Sequence, residues 1–115
     1  MRHFEVTRCK VADGAMTQFV NAVQQWERAA LAHENAPLHH AVLVDPEEPS
    51  EVLIITEFAD REASEAFAAS GLLGKFMDGV MQCSVGSAER GHYDLFYAAG
   101  QGERAIFGEL PRDRV

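Results

Sequence analysis

The sequence predicts an α+β domain with the element order β-α-β-β-α-β. Three observations carry that prediction. Val52 to Phe58 (VLIITEF) is a run of β-branched residues and leucine, which suits a strand covered on both faces. It leads through Asp60, a short acceptor able to cap a helix, straight into an amphipathic run. The residues flanking a proline-bracketed turn, Leu38 to Val44 and Val52 to Phe58, read as the two arms of a hairpin.

The elements follow in order. Phe4 to Val11 alternates, with Phe4 and Val6 on one side and Glu5, Thr7 and Cys9 on the other, the period of a first strand. Ala12-Asp13-Gly14 breaks it. A helix over Ala15 to His33 puts Met16, Phe19, Val20, Val23, Trp26 and Ala30 near one stripe. Asn35-Ala36-Pro37 stops that helix, because the residue before a proline avoids the α region. Leu38 to Val44 is the second strand. Asp45 to Ser50 is a polar turn, and its prolines bar it from a ladder. Val52 to Phe58 returns antiparallel as the third strand. The second helix turns Ala63, Ala66 and Phe67 inward and Glu62 and Glu65 outward, breaks at Ser70-Gly71, and resumes to about Met81. Cys83 to Gly91 reads as a small-residue connection and His92 to Ala98 as the fourth strand. From Gly100 the tail has no clean period, and Ile106, Phe107 and Leu110 are its candidate anchors. Residues 1–98 are therefore expected to form one domain, and residues 99–115 an irregular C-terminal arm in contact with a neighbouring copy.

This order is the ferredoxin-like plan: a four-stranded antiparallel sheet with two helices on one face. The second and third strands carry aliphatic residues on both sides, so the uncovered face is expected to be apolar. A second copy is the simplest cover, and a homodimer joined sheet to sheet is expected.

Composition narrows the function classes. The chain has 18 acidic and 10 basic residues, a net charge of −8, which argues against a phosphate-neutralising nucleic-acid surface. Its 2 cysteines make no disulfide framework, and a reduced, cytoplasmic protein is the expectation. No apolar run has the length of a membrane span, and the start alternates like a strand and not like a signal peptide.

Several side chains could carry chemistry. His39 and His40 are neighbours in a strand, so they face opposite ways and cannot share one metal. One should face the helices and a pocket, where an imidazole can act as a general base; the other should face the dimer interface. A hydrogen-bonded structural histidine is the competing reading. Trp26 could stack on a planar ligand or simply fill the core, and Tyr93 could bond a substrate oxygen or edge an interface. Glu57 lies in an apolar strand and needs a partner, with Arg8 or Lys10 as candidates. No histidine or cysteine pair has metal-ligand spacing, and no bound metal is expected. A G-x-S-x-G turn, a phosphate loop and a C-x-x-C pair are all lacking.

Three stretches carry a family resemblance: RCKVADGAMTQF, PLHHAVLVDPEEPSEVLIITEF and FADREASEAFAAS. With them the chain resembles the antibiotic biosynthesis monooxygenase family of dimeric α+β barrels, over roughly residues 1 to 98. That family includes cofactor-independent oxygenases of aromatic polyketides and quinols, haem-degrading enzymes and signal-molecule isomerases. The resemblance implies an aromatic or quinol substrate, no cofactor, and a pocket between helices and sheet. His39 or His40 would be the catalytic base there, and Thr7, Trp26, Phe58, Phe67 and Tyr93 the substrate-binding residues. Phe58 stands where many members carry Trp or Tyr, and Phe67 and Leu72 where many carry His. Thr7 stands where the haem-degrading branch uses Asn. Without the helix-two histidine that branch's iron ligand is gone, so haem is not expected. A non-catalytic module for a hydrophobic metabolite and an accessory dimeric protein are the alternative functions.

Overall fold

The computed structural model describes residues 1–99 and the strand segments Arg104–Ala105 and Gly108–Glu109. Four strands, β1 (His3–Val11), β2 (His39–Val44), β3 (Glu51–Phe58) and β4 (Ser84–Asp94), form one antiparallel sheet in the order β2-β3-β1-β4. Helices α1 (Met16–Leu31), α2 (Arg61–Ala69) and α3 (Leu72–Gln82) cover one face. The ferredoxin-like plan expected from the sequence is the plan observed, with the second helix divided in two.

Each element has a local cause. In α1, Phe19, Val23, Trp26 and Ala30 recur at helical spacing and are the buried stripe. Met16 and Val20, expected on that stripe, lie at its margin and are exposed. Asp60 caps α2 as expected, its Oδ1 accepting from the Ala63 N–H at 2.8 Å. Ser64, and not Ala66, takes the inward position on α2, because its hydroxyl donates to Glu5 Oε1 at 2.9 Å. Gly71, at φ +84°, turns the chain between α2 and α3 in a conformation that side chains with a Cβ rarely adopt.

The fourth strand begins at Ser84 and ends at Asp94, so Ser84 to Gly91 is strand and not connection. Residues 95–99 lie outside it. β4 is an edge strand, and most of its residues are exposed. Opposite Cys9 it bulges: Arg8 pairs with Glu89 but Lys10 pairs with Val85. Gly86, at φ +71°, lies within the bulge.

Register assigns the faces. Thr7 opposite Ile54 and Cys9 opposite Val52 point to the helices, and with Val11, Phe58, Phe67, Phe76 and Val80 they belong to the buried interior. Phe4, Val6, Leu53, Ile55, Ala41 and Leu43 point the other way, so the uncovered face has the expected apolar centre, flanked by Arg8, Lys10, Glu51, Glu57 and His39. The two described segments after residue 99 pair antiparallel with each other, Arg104 with Glu109 and Ala105 with Gly108. The expected anchors Ile106, Phe107 and Leu110 lie outside the described residues.

Candidate functional site

β2 delivers two histidines to two different places. His40 stands opposite Thr56, on the helix side; His39 stands opposite Glu57, on the uncovered side. That is the division alternation demands, and register decides which residue is which.

On the helix side, aromatic rings gather around Trp26. Its ring centre lies 4.3 Å from that of His40, 5.0 Å from Phe76 and 6.1 Å from Phe67. Phe67 in turn meets Phe58 at 5.6 Å and His33 at 5.4 Å. The structure therefore brings Trp26, His40, Phe58 and Phe67 together. Thr7 shares their sheet face and is buried. Phe76 and His33 complete the group and were not singled out as site residues from the sequence. Phe76 falls in the run after Gly71, where only the α3 register shows its inward direction.

His40 is held at one nitrogen only. Its Nδ1 lies 3.2 Å from Thr56 Oγ1. Its Nε2 is buried and finds no hydrogen-bond partner among the described residues, and the same is true of Trp26 Nε1. Burial pushes the His40 pKa down to about 4, so the imidazole is neutral near pH 7. The same burial that keeps the ring neutral weakens it as a base, so it suits a hydroxyl whose anion is itself stabilised by neighbouring groups.

Trp26 separates two clefts. One, of about 310 Å³, runs along the sheet edge between α1 and β2 and is lined by Ala30, Leu31, Leu38, His39 and His40 among others. The second, of about 320 Å³, lies between α1 and α3 and includes Leu72, Phe76 and Gly79. Trp26 lines both.

Tyr93 is not part of this group. It pairs with Phe4, on the uncovered face, and is 61% exposed. The expectation that it lines the same pocket as Trp26 is corrected by the register of β4. His39 is also turned away from the rings. Its Nδ1 lies 2.7 Å from Oε1 of Glu57, a carboxylate with 0% exposure. Arg2 Nε reaches Glu57 Oε2 at 3.3 Å, so the partners are Arg2 and His39, not Arg8 or Lys10.

A second polar cluster joins β1, β4 and α2, and no sequence pattern marks it. His3, buried, lies 2.9 Å from Asp94 Oδ1 through Nδ1 and 3.5 Å from Glu5 Oε1 through Nε2. The bond from His3 holds the Asp94 carboxyl below its usual range. With the Ser64 hydroxyl on Glu5, this cluster ties α2 to the sheet. Among the described residues, no group of three or more His, Cys, Asp or Glu side chains is placed to hold a metal ion. No described helix is long and apolar enough to cross a membrane.

Comparison with known proteins agrees with this architecture. The family model described as "Antibiotic biosynthesis monooxygenase" matches residues 2–79. No curated protein matches the sequence. Among solved structures, a conserved protein from Methanosarcina mazei Go1 is 16% identical with a TM-score of 0.72, over 81% of this chain and 91% of that one. SnoaB, a cofactor-independent oxygenase from Streptomyces nogalater solved as a point variant, is 18% identical with a TM-score of 0.70, over 82% and 92%. Rv0793 from Mycobacterium tuberculosis is 9% identical with a TM-score of 0.72, over 87% and 100%. At such identities the likeness establishes the fold.

Proposed function

The chain belongs to the antibiotic biosynthesis monooxygenase family, and on that premise we propose that it is a cofactor-independent monooxygenase of an aromatic or quinol-type small molecule. One observation carries the reading: a neutral histidine, His40, keeps an unpartnered Nε2 inside a cluster of aromatic rings. The rings of Trp26, Phe67 and Phe76 suit a flat ligand. Transfer of a substrate O–H proton to His40 Nε2 leaves an electron-rich anion. That anion supplies the electrons for dioxygen: one oxygen atom replaces a ring C–H hydrogen as a quinone carbonyl, and the other leaves as water with that hydrogen and the proton returned by His40. The apolar lining keeps water from the reactive intermediate.

The position of His39 supports a division of labour. It belongs to the uncovered sheet face, where Val6, Leu53 and Ile55 offer an apolar surface to a second copy of the chain. In this reading His40 is the base and His39 belongs to the interface.

Oxygen uptake by the purified protein, without added cofactor, against hydroxylated aromatics and quinols tests the proposal. Uptake that persists in the native protein and in H39Q, and falls at least a hundredfold in H40A, is expected, since general-base catalysis contributes about 10²–10⁴-fold. Equal uptake in native protein and H40A refutes the role. Binding of a panel member with no uptake favours the alternative of a non-catalytic module. The apolar Phe58, Phe67 and Leu72, which move no protons, speak for that alternative.

A further inference from the structure

Trp26 is the only tryptophan of the chain and it is 5% exposed. Its neighbours are rings and aliphatic side chains, and its indole N–H, a donor with no acceptor character, has no partner among the described residues. Leaving such a donor buried and unpaired is unfavourable, because its hydrogen bond to water is lost and not replaced. A core position filled only for packing would be served by phenylalanine, which stands at Phe67 and Phe76 on either side. The second unpartnered nitrogen, His40 Nε2, belongs to the adjacent ring, 4.3 Å away centre to centre. Two orphaned nitrogens on touching rings, one a fixed donor and one able to accept, are complementary to a single hydroxyl oxygen.

We propose that Trp26 is a positioning residue: its indole N–H donates to the ligand oxygen whose proton His40 Nε2 receives. This rests on the reading of His40 as the base and adds the group that orients the oxygen and stabilises its anion. The step is a proton transfer alone; the ligand O–H breaks, the His40 N–H forms, and the anion left on oxygen keeps the Trp26 hydrogen bond. Trp26 lines two clefts of about 310 and 320 Å³, and His40 lines the first of them, so a ligand entering from either cleft reaches the two nitrogens once the Trp26 ring moves aside. The charged and titratable groups facing these clefts are Glu27 and His39 on one side and Lys75 and Asp78 on the other. All four lie outside the ring cluster, and none hydrogen-bonds either orphaned nitrogen.

The test compares the binding of 2-naphthol, 2-methoxynaphthalene and naphthalene to the native protein, W26F and H40F by equilibrium dialysis. The methoxy compound keeps the acceptor oxygen and lacks the proton. The native protein is expected to bind 2-naphthol about tenfold more tightly than naphthalene, the equivalent of about 1.4 kcal/mol, with 2-methoxynaphthalene between them. W26F is expected to bring 2-methoxynaphthalene level with naphthalene while naphthalene itself changes less than twofold. H40F is expected to bring 2-naphthol level with 2-methoxynaphthalene. Loss of all three ligands in parallel in W26F, no preference for the oxygenated ligands in the native protein, or no binding of any of them overturns the assignment. If W26F does not fold, the order of the three ligands on the native protein decides. Oxygen uptake separates the two levels. A preference lost in W26F without uptake in any form of the protein faults the oxygenase reading alone, and uptake with an unchanged preference in W26F faults Trp26 alone.

Discussion

Glu57 Oε1 lies 2.7 Å from His39 Nδ1 on the sheet face that no helix covers, and the carboxylate is nonetheless fully buried. It also holds Arg2 at 3.3 Å. Breaking a buried pair by removing one partner leaves the other uncompensated, a loss of about 3–5 kcal/mol for fully buried groups. Arg2 and His39 are partly exposed, so E57A is expected to cost about 2–3 kcal/mol in urea denaturation, within the range for one lost buried partner. A cost below about 0.5 kcal/mol would show that the network contributes nothing to stability.

Phe67 is 1% exposed and touches Trp26, His33 and Phe58 at once. F67A is expected to lower stability by about 3–5 kcal/mol through the cavity it leaves. The same change should weaken binding of any flat ligand in the ring cluster, read by dialysis on the folded fraction.

His40 makes stability depend on pH in a definite direction. Its pKa in the folded protein is about 4, below the usual value near 6.5. Above pH 6.5 the ring is neutral folded or unfolded, and it contributes no slope. Between pH 6.5 and 4 the unfolded chain takes up a proton that the folded chain refuses, so stability falls as pH falls through this window. Allowing for the partial exposure of the ring, the loss is about 1–2 kcal/mol. Thermal melting of native protein and H40Q across this range should show the native protein losing more; identical profiles would remove His40 as the cause.

Gly71 separates α2 from α3 at φ +84°, and no atom lies within 4 Å of where a Cβ would stand. G71A is therefore expected to cost about 1 kcal/mol from backbone strain alone, with no steric clash. A neutral substitution would mean that the junction relaxes out of the left-handed region.

The uncovered face carries Ile55 at its centre, opposite Val6 and Ala41. Sedimentation at micromolar concentration is expected to find a dimer of the native chain and a monomer of I55E. A native monomer under those conditions would refute assembly through this face.

Much of the fold was legible in the sequence because its signals are local. The β1 alternation, the α1 stripe, the proline-bracketed turn and the Asp60 cap each depend on residues close in the chain. β4 was misplaced because Ser84 to Gly91 is small and polar, with its pairing supplied by β1 alone and both faces largely open to water. The apolar run Leu95 to Ala98 imitated a continuation of a strand that ends at Asp94. At the site, the sequence shows that His39 and His40 diverge, but only strand register assigns His40 to Trp26 and His39 to Glu57. The cluster of His3, Glu5, Ser64 and Asp94 was invisible for the same reason, since its members are contributed by three separated elements.

One peptide unit separates the imidazole that meets Trp26 from the imidazole that meets Glu57. A twist of β2 about its own axis therefore turns both rings together. The sheet's open side and the cleft beside α1 therefore share one edge strand, β2. If assembly through that side changed the affinity of a ligand in the cleft, reciprocity would require the ligand to change assembly by the same factor.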